Sequence, residues 1–116
     1  MFGKHSVPVF VALICLLVVS VAPAWGQATN TGIIIGSVFD NTNAFVPGAA
    51  VSITQTTTGN VRSTVTDKSG RFVFADVDPG SYAVKVTKQG FSSTVIADQV
   101  VAIGTTLTEN VKLEVG

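Results

Sequence analysis

The residue types that most often carry catalysis are confined to the start of this sequence. Its single His, Cys and Trp are His5, Cys15 and Trp25 in a chain of 116 residues. The remainder offers no thiol and no imidazole, which excludes disulfides, zinc fingers and nucleophiles activated by histidine. We therefore expect no enzyme activity and no cofactor.

Carboxylates are the remaining groups that could bind a metal or transfer a proton. Asp67 opens an Asp-Lys-Ser-Gly segment, and Asp76 and Asp78 flank Val77 just before a Pro-Gly pair. A calcium loop needs about six to eight oxygen ligands and normally a bidentate Glu, whose position counted from Asp67 is Asp78. Turn formation explains these residues more simply, since Asp side chains accept hydrogen bonds from nearby backbone N–H groups. Calcium binding and acid–base catalysis by Asp76 and Asp78 stay minor alternatives.

The charge balance indicates which partners to exclude. The whole chain has 7 basic and 7 acidic side chains. From Gln27 onward there are 6 basic and 7 acidic ones, a net charge of about −1. Binding to nucleic acid or to an anionic membrane needs a clustered basic excess. We expect no nucleic-acid partner.

The start of the chain has the composition of a secretory signal peptide. Lys4 is followed by an uncharged apolar run over residues 7–21, and small residues then recur from Ala24 to Ala28. A short positive region, an apolar run and a small-residue exit are the features that signal peptidase recognises. We expect cleavage after Gly26, with Ala24 and Ala28 as alternative positions.

This interpretation divides the chain into a signal peptide over residues 1–26, a short leader over 27–31 and one domain over 32–116. The alternative is an uncleaved membrane anchor, because the uncharged run can be extended to residue 24, close to the minimum length of a span. No basic cluster follows the run, which favours cleavage and export to the cell envelope.

A strand pattern runs through the rest of the chain. Apolar and polar side chains alternate, as over residues 82–87, and turn-forming pairs such as Pro47-Gly48 and Pro79-Gly80 separate the alternating runs. One apolar and one polar face on each strand is typical of antiparallel sheets packed face to face. We predict an all-β fold, a seven-stranded antiparallel Greek-key β-sandwich preceded by a signal-peptide helix.

The inward positions of this pattern form the predicted core. Glu109 interrupts the inner face of the last strand, which we therefore expect at an edge or at the open end of the sandwich. The predicted core residues are Ile33, Ile35, Val38, Val51, Ile53, Val65, Phe72, Phe74, Val77, Tyr82, Val84, Val86, Phe91, Val95, Leu107, Val111 and Leu113.

Four segments in this order carry a family resemblance: GIIIGSVFD (32–40), VPGAAVSI (46–53), TDKSGRFVF (66–74) and VDPGSYAVKV (77–86). Together they resemble the carboxypeptidase regulatory-like domain, a prealbumin-like sandwich also classed with the carbohydrate-binding-like folds. The resemblance implies that the recurring residues build the fold and mark no catalytic site. The expected turn residues are Pro47, Gly48, Asp67, Gly70, Pro79, Gly80 and Gly90.

The resemblance also implies a role and a location. The most similar version of the module follows a signal peptide directly and precedes the plug and barrel of an Oar-like TonB-dependent outer-membrane receptor. We therefore expect an exported accessory domain, periplasmic or associated with the outer membrane, here without plug and barrel. Its expected partner is such a plug and barrel or another envelope protein. The alternative is a free-standing secreted module that binds a carbohydrate or a protein.

A candidate ligand site follows from the aromatic residues that the strand pattern leaves exposed. Phe39 and Phe45 flank a polar segment that contains Asn41 and Asn43. Exposed aromatic rings beside amide groups are typical of sugar-binding surfaces, where the ring stacks on the sugar. The alternative is that these rings only cover one end of the sandwich.

Overall fold

The computed structural model describes residues 30–116. The predicted all-β sandwich is confirmed in this part of the chain. The predicted signal-peptide helix and most of the leader lie outside the described residues. The strands are β1 (Gly32–Asp40), β2 (Ala50–Gln55), β3 (Val61–Val65), β4 (Arg71–Val77), β5 (Gly80–Thr87), β6 (Thr94–Val101) and β7 (Thr106–Leu113). None of the described residues belongs to a helix long and apolar enough to cross a membrane.

Two sheets pack face to face in the orders β4-β1-β7 and β3-β2-β5-β6. Every pairing between these strands is antiparallel except one, since β1 and β7 run parallel from Ile33↔Thr106 to Asp40↔Leu113. We expected antiparallel pairing throughout. A hairpin forces antiparallel neighbours, whereas β1 and β7 are the first and last strands and the whole domain connects them.

The inner face of β1 corrects the predicted core at Ile33 and Ile35. The buried positions are Ile34, Gly36 and Val38, whereas Ile33 is 39% exposed and Ile35 is only half-buried on the outer face. Three successive isoleucines show no alternation of apolar and polar residues, so they do not indicate which of them face the core. The next inward position is Gly36, which has no apolar side chain to mark the inner face.

Gly36 is glycine because an aromatic ring occupies the space of its side chain. A Cβ atom there would meet the Phe72 ring, 2.5 Å from Cζ, and the backbone carbonyl oxygen of Glu109. The Phe72 ring in turn packs edge-on against Phe74, with ring centroids 6.1 Å apart and an interplanar angle of 63°. This pair fills the space between the sheets at the middle of β1.

Val65 and Val95 were also predicted in the core and are exposed, by 60% and 58%. The residue that turns inward is Thr66, which directly follows the end of β3. Its buried hydroxyl accepts a hydrogen bond from Ala49 N–H and donates one to the Val46 carbonyl, both at 2.8 Å. A polar side chain is accepted there because both of its hydrogen bonds are made.

In β6 the phase changes at a bulge. The pairing with β5 shifts between Tyr82↔Gln99 and Val84↔Ile96, so β6 carries one extra residue, and Asp98 there has φ 59°. Ile96 therefore packs against the core and Val95 points outward. A bulge reverses the alternation along a strand, and the alternation alone does not locate it.

The remaining predicted core residues lie at the sheet interface. Phe91 and Leu107 are partly buried and pack against it. The buried core residues are Ile34, Val38, Val46, Ala49, Val51, Ile53, Phe72, Phe74, Val77, Tyr82, Val84, Val86, Val101, Val111 and Leu113.

Glu109 lies on the inner face of β7 and is 8% exposed. β7 is an edge strand of its sheet, as expected from this residue. Burial disfavours the charged carboxylate and raises the pKa of Glu109 above its ordinary value of 4.5.

We expect Phe74→Ala to lower the free energy of unfolding by about 3–5 kcal/mol, because Phe74 is 2% exposed and its loss leaves a cavity. Val73→Ala is the control, since Val73 is the outward neighbour and 59% exposed. Chemical denaturation measures both changes. A loss below about 1 kcal/mol for Phe74→Ala would contradict its place in the core.

We expect Glu109→Gln to stabilise the domain at neutral pH. The folded state holds the Glu109 proton more tightly than the unfolded state, so this contribution to stability is present below pH 4.5 and is lost as the pH rises through the raised folded pKa. As the pH rises from below 4.5 to neutral, the melting temperature of Glu109→Gln should therefore fall less than that of the wild type. Glu114→Gln is the control, with its side chain 64% exposed. The same pH profile in wild type and Glu109→Gln would overturn the assignment.

Candidate functional site

A tight loop after β1 brings the predicted aromatic residues together. The Asp40 carboxylate accepts hydrogen bonds from Thr42 N–H at 2.8 Å, from the Thr42 hydroxyl at 2.6 Å and from Ala44 N–H at 3.1 Å. The Thr42 hydroxyl contributes most to lowering the pKa of Asp40. Asn43 completes the reversal with φ 66°, a conformation that Asn tolerates better than most residues.

The returning chain places Phe45 beside Phe39 in an antiparallel bridge. Together with Ser37, Asn43 and Asn110 they line an open cleft of about 370 Å³, and Phe45 is 59% exposed. The structure therefore joins three of the four predicted ligand residues. The fourth, Asn41, is exposed in the loop and does not line the cleft.

Gly70 supports the cleft from the turn between β3 and β4. Its carbonyl accepts from Val38 N–H at 2.8 Å, and its own φ is 72°. A Cβ atom at this position would lie 2.8 Å from the Val38 carbonyl oxygen and 3.0 Å from Cβ of Phe45. The position of Phe45 therefore depends on a residue without a side chain at position 70.

Asp67 shapes the same turn. Its carboxylate accepts from Ser69 N–H at 2.8 Å and from Arg71 N–H at 3.0 Å, which is the arrangement expected of an Asx turn. These bonds, the one from Arg71 first, lower the pKa of Asp67. The other glycines that were expected in turns, Gly48, Gly80 and Gly90, also have positive φ, of 71°, 152° and 89°. Pro47 and Pro79 directly precede Gly48 and Gly80.

The outer face of the β4-β1-β7 sheet continues the cleft along β1. A second cleft of about 300 Å³ is lined by Ile35, Ser37, Arg71, Val73, Thr108 and Asn110, among others. It shares Ser37 and Asn110 with the first cleft. The two clefts therefore form one surface, which we call the β1 face.

Sequence reasoning missed Ser37, Asn110 and Arg71. The available signal was strand alternation, which places Asn110 on the solvent face of β7. The neighbours across the sheet depend on pairing between distant strands, and the parallel pairing of β1 with β7 was not predicted.

A separate polar cleft of about 310 Å³ lies where Asp76 and Asp78 meet Arg62 and Tyr82. Arg62 Nη1 donates to the carbonyls of Ala75 and Asp76 at 2.8 and 3.3 Å. The Tyr82 hydroxyl donates to the Asp78 carbonyl at 2.6 Å, so its ring is buried with a satisfied polar end. Within residues 30–116 no three His, Cys, Asp or Glu side chains are grouped to hold a metal ion.

Comparison with known families assigns the chain. Residues 33–114 match the carboxypeptidase regulatory-like domain. The chain belongs to this family. The match covers all the strands except the first residue of β1. A comparison with curated proteins gives no match.

Solved structures share the fold at low sequence identity. A Bacteroides uniformis protein to which carbohydrate binding has been assigned provisionally is 20% identical with a TM-score of 0.60, over 72% of this chain and 41% of that one. The Bacillus anthracis TIE protein is 18% identical with a TM-score of 0.60, over 74% and 17%. Acinetobacter radioresistens catechol 1,2-dioxygenase is 15% identical with a TM-score of 0.56, over 82% and 55%. The chain thus spans less than two thirds of each of these proteins.

We expect Gly70→Ala to cost about 1–3 kcal/mol of stability from its positive φ, with an additional cost from the contacts with Val38 and Phe45. Gly59→Ala is a matched control, because Gly59 has φ 74° and nothing within 4 Å of the new methyl group. The difference between the two unfolding free energies isolates the contact cost. Equal losses in the two variants would show that position 70 does not support the cleft.

Proposed function

We propose that this domain is a non-catalytic accessory module of an exported protein, and that it forms the periplasmic N-terminal segment of a TonB-dependent outer-membrane receptor. The order of features carries the export part of the proposal, and the resemblance to the module that precedes Oar-like receptors carries the receptor part. An export-type apolar segment is followed, after a short leader, by a sandwich whose strands run from Gly32 to Leu113.

The contacts of the polar side chains in the described residues support a non-catalytic role. Asp67 and Arg62 are engaged by backbone groups, and Tyr82 closes its own turn. Each of these side chains stabilises a turn or a strand edge. No group of titratable side chains among them resembles a nucleophile with its base. The likeness to catechol 1,2-dioxygenase is one of fold and brings no catalytic residues to this chain.

Expression in a Gram-negative host tests export. We expect the protein to lose about 24 to 28 residues and to appear in the periplasmic fraction. Mass spectrometry of the fractionated protein gives the cleavage position. Full-length protein recovered only from the inner membrane would contradict export.

The source locus tests the receptor assignment separately. A reading frame that continues into a plug, or a plug-and-barrel gene immediately downstream, would support it. An isolated gene with its own terminator would contradict it and would favour a free-standing secreted module.

The second candidate function is glycan binding at the β1 face. The observation that favours it is the cleft that joins Phe39, Asn43 and Phe45 with Asn110. An exposed aromatic ring offers a stacking surface, and amide groups can donate to and accept from sugar hydroxyls. This role is compatible with either genomic context.

We expect Phe45→Ala to abolish binding of oligosaccharides that the wild-type chain retains on a glycan array. The exposed ring adds little to folding, so the variant should keep its circular dichroism spectrum. Val61→Ala is the control, an exposed side chain on the other sheet, also 59% exposed. Unchanged glycan retention by Phe45→Ala would remove this candidate.

A further inference from the structure

We propose that the β1 face binds an anionic saccharide, with a sugar ring on Phe45 and Phe39 and its acidic group on Arg71. This inference deepens the second candidate function and rests on it. It adds a chemical class of ligand to a site whose neutral contacts were described above.

The strand register places the required groups in consecutive rows across the sheet. Ser37 lies between Arg71 on β4 and Asn110 on β7. Two residues further along β1, Phe39 lies between Phe45 and Lys112. Each row therefore combines one cation with either hydroxyl and amide groups or aromatic rings.

These rows are close enough for one small ligand to contact both. A strand rises about 3.3 Å per residue and its neighbour lies about 4.8 Å away, so the Cα atoms of Arg71 and Phe39 are about 8 Å apart. Phe45 is on the same side of β1 as Arg71, because Phe45 pairs with Phe39 just beyond the first residue of β4 and its Cβ faces Gly70. A sugar ring on Phe45 thus has its edge within reach of the Arg71 side chain.

The charges of the face select an anion. Arg71 is the one charged side chain among the residues described that line the two clefts. Asp67 is the acidic residue nearest to Arg71 in the chain; its carboxylate accepts hydrogen bonds from two backbone N–H groups, and the charge of Arg71 contributes last to lowering its pKa. The ion pair found in the described residues is Lys112 with Glu114, at 3.8 Å and half-exposed, and Arg71 forms no such contact with a carboxylate of these residues. A guanidinium binds carboxylate through two parallel hydrogen bonds, which a neutral hydroxyl cannot reproduce.

Calorimetric titration of the full chain with trigalacturonate and with its methyl ester tests the charge requirement. The two probes share their sugar rings and differ in the acidic groups. We expect the ester to bind about tenfold more weakly, because it cannot form the paired contact with a cation. We also expect added salt to weaken trigalacturonate binding and to leave the ester unaffected.

Three variants locate the contacts. Arg71→Gln should lower the affinity for trigalacturonate to that for the ester and leave the affinity for the ester unchanged. The substitution keeps the hydrogen bond from the backbone N–H of residue 71 to Asp67. Phe45→Ala should abolish binding of both probes. Lys85→Gln is the charge control, because Lys85 is exposed on β5 in the other sheet and should change neither affinity. Circular dichroism confirms that each variant is folded.

The outcomes separate this inference from the function on which it rests. Equal affinities for acid and ester, both lost in Phe45→Ala, would overturn the anionic preference and keep glycan binding. Absence of binding to both probes would overturn the inference, and the glycan array would then decide the candidate function by itself. A sulfated galactose oligosaccharide serves as a third probe. If it binds more tightly than trigalacturonate does, the acidic group that the site prefers is sulfate.

Discussion

The alternation of β1 is the constraint on which the rest of the molecule depends. β1 is the central strand of its sheet and pairs with both β4 and β7. Its even-numbered residues, Ile34, Gly36 and Val38, are buried between the sheets, while Ser37 and Phe39 line the outer clefts. A shift of one residue would exchange these two sets, burying the polar set and exposing the core. Core packing and the candidate site are therefore two consequences of one register.

Side-chain volume at the sheet interface holds this register in place. The described residues contain no cysteine, so the sheets are joined by packing and by a few hydrogen bonds, such as the one from Arg62 on β3 to the Ala75 carbonyl on β4. Phe72 fills the space that Gly36 leaves, and Gly70 lets the turn after β3 approach Val38 and Phe45. Both glycines are sites of close approach, where a methyl group would displace an aromatic residue or a backbone carbonyl. The same contacts that close the core also orient the exposed ring of Phe45.

Sequence reasoning predicted the strand content, the sandwich and the burial of Phe72 and Phe74, because alternation and turn chemistry are local properties. It placed Ile33, Ile35, Val65 and Val95 incorrectly, since three isoleucines in a row, a short edge strand and a bulge each hide the phase. It also missed the parallel pairing of β1 with β7, which joins residues far apart in sequence. Ser37, Arg71 and Asn110 become neighbours only through such pairing, so the β1 face was visible in the sequence as Phe39, Asn43 and Phe45 alone.

Cysteine accessibility along β1 tests this register most directly. Single cysteines at positions 34, 35, 38 and 39, introduced into a chain with Cys15→Ser, would be labelled with a thiol reagent under native conditions. The account predicts rapid labelling at positions 35 and 39 and protection at 34 and 38, with all four equal after unfolding. Protection at 35 with rapid labelling at 34 would contradict it, because the outer face of β1 would then be the core.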